Sequence, residues 1–61
     1  MFKYKFPQPE ITGVLSHIEA FGLQVISMEP ADPDFIMTTN AAIDPMQLAH
    51  LAEAYNLEEI V

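Results

Sequence analysis

Apolar side chains first recur at every second residue and then, from Ile11 onwards, at every third or fourth residue. This change of period is the feature of the sequence that most constrains the fold. Residues 2–6 alternate strictly between aromatic and lysine side chains, which predicts a strand with its aromatic rings on one face. Pro7 and Pro9 then interrupt the strand. A helix follows, because apolar residues recur on one stripe at Ile11, Val14, Leu15, Ile18 and Phe21. Gly22 is a typical helix stop.

The second half of the chain predicts a hairpin and a second helix. Residues 23–28 and 35–39 are apolar and partly β-branched, and they flank a segment, 29–34, with two prolines and three acids. We therefore expect two strands joined by a longer loop. Asp44 followed by Pro45 is typical of a helix start. Residues 57–61 could form either a final strand or a last helical turn.

The order of these elements indicates one α+β domain covering residues 1–61. The pattern βαββαβ predicts a compact ferredoxin-like fold, with a four-stranded antiparallel sheet in the order 4-1-3-2 and both helices on one face. The alternative is an αββα unit whose terminal segments pair with another chain.

Size and composition narrow the function classes. A 61-residue domain buries only about 60% of its unfolded surface, and without cysteine no disulfide or thiolate-bound metal can reinforce it. Self-association, most simply as a homodimer, is therefore expected. Two lysines against nine acids give a net charge of −7, which argues against direct nucleic-acid binding. No membrane span or signal segment is apparent, so a cytoplasmic protein is expected.

The apolar residues of the hairpin predict an interface. Strict alternation places Val25 on the face opposite to Ile26 and Met28. It likewise places Ile36 opposite to its two apolar neighbours. Whichever face the helices cover, apolar side chains remain on the other one, and such a face usually marks a binding surface. The candidate interface comprises Ile26, Met28 and Ile36.

The acidic residues suggest a second surface. We expect Glu29, Asp32, Asp34, Glu58 and Glu59 to steer the protein towards a basic partner. If the last segment is a strand beside the first, its glutamates can also pair with Lys3 or Lys5. Carboxylates at phosphate-like spacing can mimic a nucleic-acid backbone, as in phage-type inhibitors, but the nine acids here are spread over every segment instead of forming one dense stripe. The alternative is that they maintain solubility.

Motifs for catalysis, cofactor binding or metal binding are not apparent in the sequence. His17 and His50 lie on different predicted helices, and two ligands alone do not hold a metal firmly. Tyr55 continues the apolar stripe of the second helix and is expected to be structural. We therefore assign no catalytic residue, no metal ligand and no cofactor.

One segment resembles a known family. Pro9, the helical residues Gly13, Val14, Leu15 and Ile18, and the stretch 22–26 (GLQVI) are similar to the first strand–helix–strand unit of ACT-type regulatory domains. In this chain the proline is not adjacent to the glycine. The resemblance implies pairwise sheet association with a small ligand at the protomer boundary.

These observations predict a small acidic protein that is not an enzyme. It would self-associate and bind or block a protein partner, whose identity the sequence does not give. An ACT-like ligand-sensing domain and a structural assembly subunit are the alternatives.

Overall fold

The computed structural model describes residues 2–60 as four strands and two helices. The first strand leads through a short 3₁₀ turn, Gln8–Glu10, into the first helix. The elements in chain order are β1 (Phe2–Pro7), α1 (Ile11–Ala20), β2 (Val25–Ala31), β3 (Asp34–Thr39), α2 (Pro45–Tyr55) and β4 (Glu58–Ile60).

The strands form one antiparallel sheet in the order β2-β3-β1-β4, which is the series 4-1-3-2 read from the other edge. The predicted α+β class, with one four-stranded sheet and two helices, is confirmed. β1 pairs with both β3 and β4 of the same chain. In the alternative αββα arrangement the terminal segments would instead pair with another chain. The last segment is a strand over Glu58–Ile60. Leu57 precedes it without regular secondary structure, and the part of the prediction that falls on Val61 lies outside the described residues.

The start of α2 and the end of α1, both predicted from local sequence signals, are present. The Asp44 carboxylate accepts a hydrogen bond of 3.1 Å from the Met46 backbone N–H, and Pro45 occupies the first helical turn. α1 stops at Gly22, whose φ of 77° is in the left-handed region that glycine tolerates. The N–H of Leu23 then reaches back to the carbonyl of Ile18 at 3.2 Å, which satisfies one of the last helical carbonyls.

The β2–β3 hairpin has a shorter loop than predicted. β2 continues through Glu29, Pro30 and Ala31, and Ala31 pairs with Asp34, so that only two residues turn the chain. The prediction of a long loop was wrong because proline was taken as a strand breaker. Pro30 lies on an edge strand, where its missing N–H costs no hydrogen bond within the sheet.

One hydrophobic core contains side chains from both helices, from β1 and β3, and from the segments around α2. Its eight buried members are Tyr4, Phe6, Val14, Ile18, Met37, Ile43, Leu51 and Leu57. The Tyr4 hydroxyl accepts a buried hydrogen bond of 3.0 Å from the backbone N–H of Ile43. This bond fixes the connection between β3 and α2 against the sheet.

Candidate functional site

The predicted apolar interface is divided between different surfaces. Met28 pairs with the buried Met37 and packs against the core, whereas Ile36 pairs with Glu29 one position further along the hairpin. Since neighbouring strand positions face opposite sides, Met28 and Ile36 lie on opposite faces of the sheet. Ile26 is 56% exposed. The three residues therefore do not form one patch.

A bulge in β2 explains why Val25 lies on a different face of the sheet from the one predicted. Val25 pairs with Thr39 and Ser27 pairs with Thr38, so Ile26 is an extra residue in the edge strand. This insertion places Val25 on the same sheet face as Met28, whereas strict alternation predicted opposite faces.

The sheet face opposite the core is mainly polar. The pairing registers place two isoleucines there among polar and charged residues: Lys3, Lys5, Ser27, Glu29, Ile36, Thr38, Glu58 and Ile60. Apolar side chains thus remain on this face, as expected, but they are two isoleucines among polar and charged neighbours, because the apolar positions of β2 after the bulge turn towards the core.

The predicted acidic residues are spread over both edges of the sheet and the hairpin tip. Glu29 lies on β2 and Glu58 on β4, in one row separated by Ile36 and Lys5. With about 4.8 Å between strands, these two glutamates are roughly 14 Å apart. Glu59 pairs with Tyr4 and therefore lies on the other face of β4. The five acids do not form a single dense stripe.

Two of the acidic positions have polar partners. The Nζ of Lys5 lies 3.5 Å from Oε2 of Glu58, as expected for a final strand beside β1. Asp32 accepts a hydrogen bond of 2.9 Å from Nε2 of Gln8, and the same amide donates to the backbone carbonyl of Asp34 at 3.2 Å. Gln8 thus holds the hairpin tip against the segment that follows β1.

Exposed apolar side chains concentrate at one end of the sheet. Phe2 and Val25 both pair with Thr39, so the three lie in one row. Ile26 adjoins this row at the bulge, and Ile60 pairs with Lys3 in the next row, on the sheet face opposite to that of Phe2 and Val25. We call Phe2, Val25, Ile26 and Ile60 the apolar end; their exposures are 38%, 37%, 56% and 38%. Met46, in the first turn of α2, is the fifth large apolar residue exposed within 2–60.

The acids of the hairpin lie away from the apolar end. Glu29 is three paired rows beyond the row of Phe2 and Val25, and Asp34 is five rows beyond it. At about 3.3 Å per residue, these offsets are roughly 10 Å and 16 Å. Along β2 and β3 the sheet is therefore apolar at one end and acidic towards the other, whereas on β4 Glu59 lies only two rows from Phe2.

A second cluster lies where α1 and α2 meet. Gly13 approaches Tyr55 so closely that a Cβ atom on Gly13 would lie 2.5 Å from Cε1 of the tyrosine. The Tyr55 ring also contacts His17, with ring centroids 5.4 Å apart. Gly13, which carried part of the ACT resemblance, thus serves here as the point of closest approach between the helices.

His17 and His50, which the sequence placed on separate helices, come together in this cluster. Their ring centroids are 5.8 Å apart at an interplanar angle of 44°. His17 is half-buried and also lies edge-on to Phe21. His50 is exposed and lines, with Glu53 and Ala54, a surface depression of about 300 Å³. Sequence spacing could not reveal the pair, because the two residues are 33 positions apart and meet only when the helices pack.

Comparisons with known proteins add no family. No family model, curated protein or solved structure was found that matches the chain. Within residues 2–60, neither helix has the length and apolar character needed to cross a bilayer.

Proposed function

We propose that the protein is a small acidic interaction module without enzymatic activity, which forms a homodimer through the apolar end and turns its acidic end towards a protein partner. The observation that carries this proposal is the exposed Ile26 at the bulge of an edge strand, next to Val25, which shares a row with Phe2. Exposed apolar side chains gathered at one end of a small domain are typical of an interface.

A second copy of the chain is the occupant that the charge distribution favours. If two copies meet at their apolar ends, the two Glu29 side chains are roughly 20 Å apart and the two Asp34 side chains roughly 33 Å apart, from twice their offsets along the strand. Both separations exceed the Debye length of about 8 Å at physiological salt. The hairpin acids of the two copies therefore repel each other little, although each copy carries a net charge of −7.

The edge position of β2 also favours this contact. An edge strand offers backbone N–H and C=O groups that another strand can bind, and isolated edges are usually blunted by charges, proline or a bulge. Here Pro30 and Glu29 occupy the acidic end of β2, whereas Val25 and Ile26 occupy the other end. The apolar end of this edge thus carries neither charge nor proline, and the bulge at Ile26 is its one protection against pairing.

The proposal also includes the placement of the two helices relative to the sheet. We assign the chain to the compact ferredoxin-like βαββαβ arrangement, with both helices on one face of the sheet. The shared core of Val14, Ile18 and Leu51 with Tyr4 and Met37 supports this assignment.

Solution mass tests the proposal directly. Light scattering coupled to size exclusion, from about 1 to 100 μM in low and high salt, should give a dimer mass for the wild-type chain in both salts. Ile26→Glu should give a monomer, because two added carboxylates would meet at the interface. Thr12→Glu adds the same charge at an exposed position of α1 and should remain dimeric. A monomeric wild-type chain at 100 μM, or a dimer unaffected by Ile26→Glu, would refute the proposal.

A further inference from the structure

We propose that His17 and His50 together bind a divalent transition-metal ion, with Zn²⁺ as the representative, between α1 and α2. The proposal is independent of the dimer, because these residues belong to the helices and the apolar end belongs to the sheet. Imidazole nitrogen is a preferred ligand for Zn²⁺, Cu²⁺ and Ni²⁺, and not for Mg²⁺ or Ca²⁺.

The separation of the two rings fits a shared ion. A Zn–N bond is about 2.0–2.1 Å, and a ring nitrogen lies about 1.2 Å from the ring centroid, so each centroid lies about 3.2 Å from a bound ion. Two ligating rings are then about 5.2 Å apart at a tetrahedral angle. The centroids of His17 and His50 are 5.8 Å apart, about 0.6 Å more, a difference that a rotation of the exposed His50 side chain can close.

One of the two ligands is already oriented. Nδ1 of His17 lies 2.9 Å from the backbone carbonyl oxygen of Gly13. A carbonyl oxygen only accepts hydrogen bonds, so in neutral His17 the proton is on Nδ1 and the lone pair is on Nε2. A backbone carbonyl that holds the second ring nitrogen is the usual support of a metal-binding histidine. The contacts with Tyr55 and Phe21 restrict the ring further.

The remaining coordination positions are open to solvent. His50 is exposed at the depression of about 300 Å³ that Glu53 and Ala54 also line, so water can reach an ion bound to its ring from that side. No group of three or more histidine, cysteine, aspartate or glutamate side chains suited to a metal occurs within residues 2–60. The chain therefore supplies two ligands, and the proposed site is an exchangeable one completed by water rather than a closed structural site. The Glu53 carboxylate, one helical turn from His50, makes the local potential more favourable for a cation.

Purely structural packing is the competing explanation. On that reading His17 fills the space beside Tyr55, and the exposed His50 ring lies against it without a ligand role. The two explanations differ in what Zn²⁺ does to the imidazole resonances.

The experiment is a ZnCl₂ titration of the full chain, followed by side-chain ¹H–¹⁵N NMR of the histidines and by calorimetry. We expect saturable binding of one ion per chain, with both imidazole signals shifted together and no such shift with MgCl₂. His50→Gln should weaken binding roughly tenfold or more, as expected for loss of a ligand. Because His50 is exposed, this variant should keep the fold, which circular dichroism would verify.

A second pair of variants distinguishes coordination by histidine from nonspecific attraction of the cation to carboxylates. His17→Gln should also weaken zinc binding roughly tenfold or more, whereas Asp32→Asn, which removes a carboxylate at the hairpin tip, should leave it unchanged. Zinc binding that His50→Gln does not weaken would place the ion on carboxylates and overturn the proposal. The absence of any imidazole shift up to millimolar zinc would overturn it as well.

Discussion

Replacement of Gly13 by alanine tests the close approach of the two helices. Alanine is a better helix former than glycine by about 0.5–1 kcal/mol, so propensity alone predicts a more stable protein. The structure predicts the opposite sign. The new Cβ would lie 2.5 Å from Cε1, 2.9 Å from Cζ and 3.0 Å from the hydroxyl oxygen of Tyr55, so the ring must move.

The movement has a cost because the ring is not free. Tyr55 packs against the core and lies 5.4 Å from the His17 ring. Overpacking of this kind typically costs about 1–3 kcal/mol. After subtraction of the propensity gain, Gly13→Ala should lower the free energy of unfolding by about 1 kcal/mol. For a domain of this size such a loss lowers the Tm by about 4–8 °C.

A double-mutant cycle isolates the cause. Tyr55→Leu removes the ring atoms that the new Cβ would meet and keeps an apolar side chain. In that background Gly13→Ala should become stabilising by about 0.5–1 kcal/mol, its helix-propensity gain. Ser16→Ala, at an exposed position of the same helix, should also be stabilising, but by less, because serine is a better helix former than glycine. Urea unfolding followed by circular dichroism gives all the values. A stabilising effect of Gly13→Ala in the wild-type background, or the same destabilisation in both backgrounds, would refute the reasoning.

Substitutions at three further positions test the fold. Tyr4→Phe leaves the buried N–H of Ile43 without its partner and should cost about 1–3 kcal/mol in urea unfolding; an unchanged midpoint would mean that the hydrogen bond contributes nothing. Asp44→Ala removes the N-cap of α2 and should cost about 0.5–2 kcal/mol, whereas Asp44→Asn should retain most of the stability. Glu58→Gln should change stability by less than about 1 kcal/mol at any salt concentration, because its pairing with Lys5 is exposed; a larger loss would show that this ion pair holds β4 in place.

The sequence alone determined the features that depend on neighbours within one turn or one strand. The aromatic–lysine alternation of residues 2–6, the stop at Gly22 and the cap at Asp44 are local, and each appears where the pattern predicted it. With the apolar pattern of the hairpin they predicted the α+β class, three strands and both helices, because hydrophobic period and capping chemistry depend on neighbours in the chain. Residues 57–61 stayed open between a strand and a helical turn, and pairing with β1 decided the strand.

Tertiary structure decided the placement of the candidate sites. The bulge at Ile26 and the extension of β2 through Pro30 depend on pairing with β3 and on the edge position of β2, which no local pattern encodes. The predicted patch of Ile26, Met28 and Ile36 is therefore divided between different surfaces. The apolar end could be identified only from the register in which the strands pair. His17 and His50 met for the same reason: the distance between two helices is set by packing of distant residues, here by the absence of a side chain at Gly13.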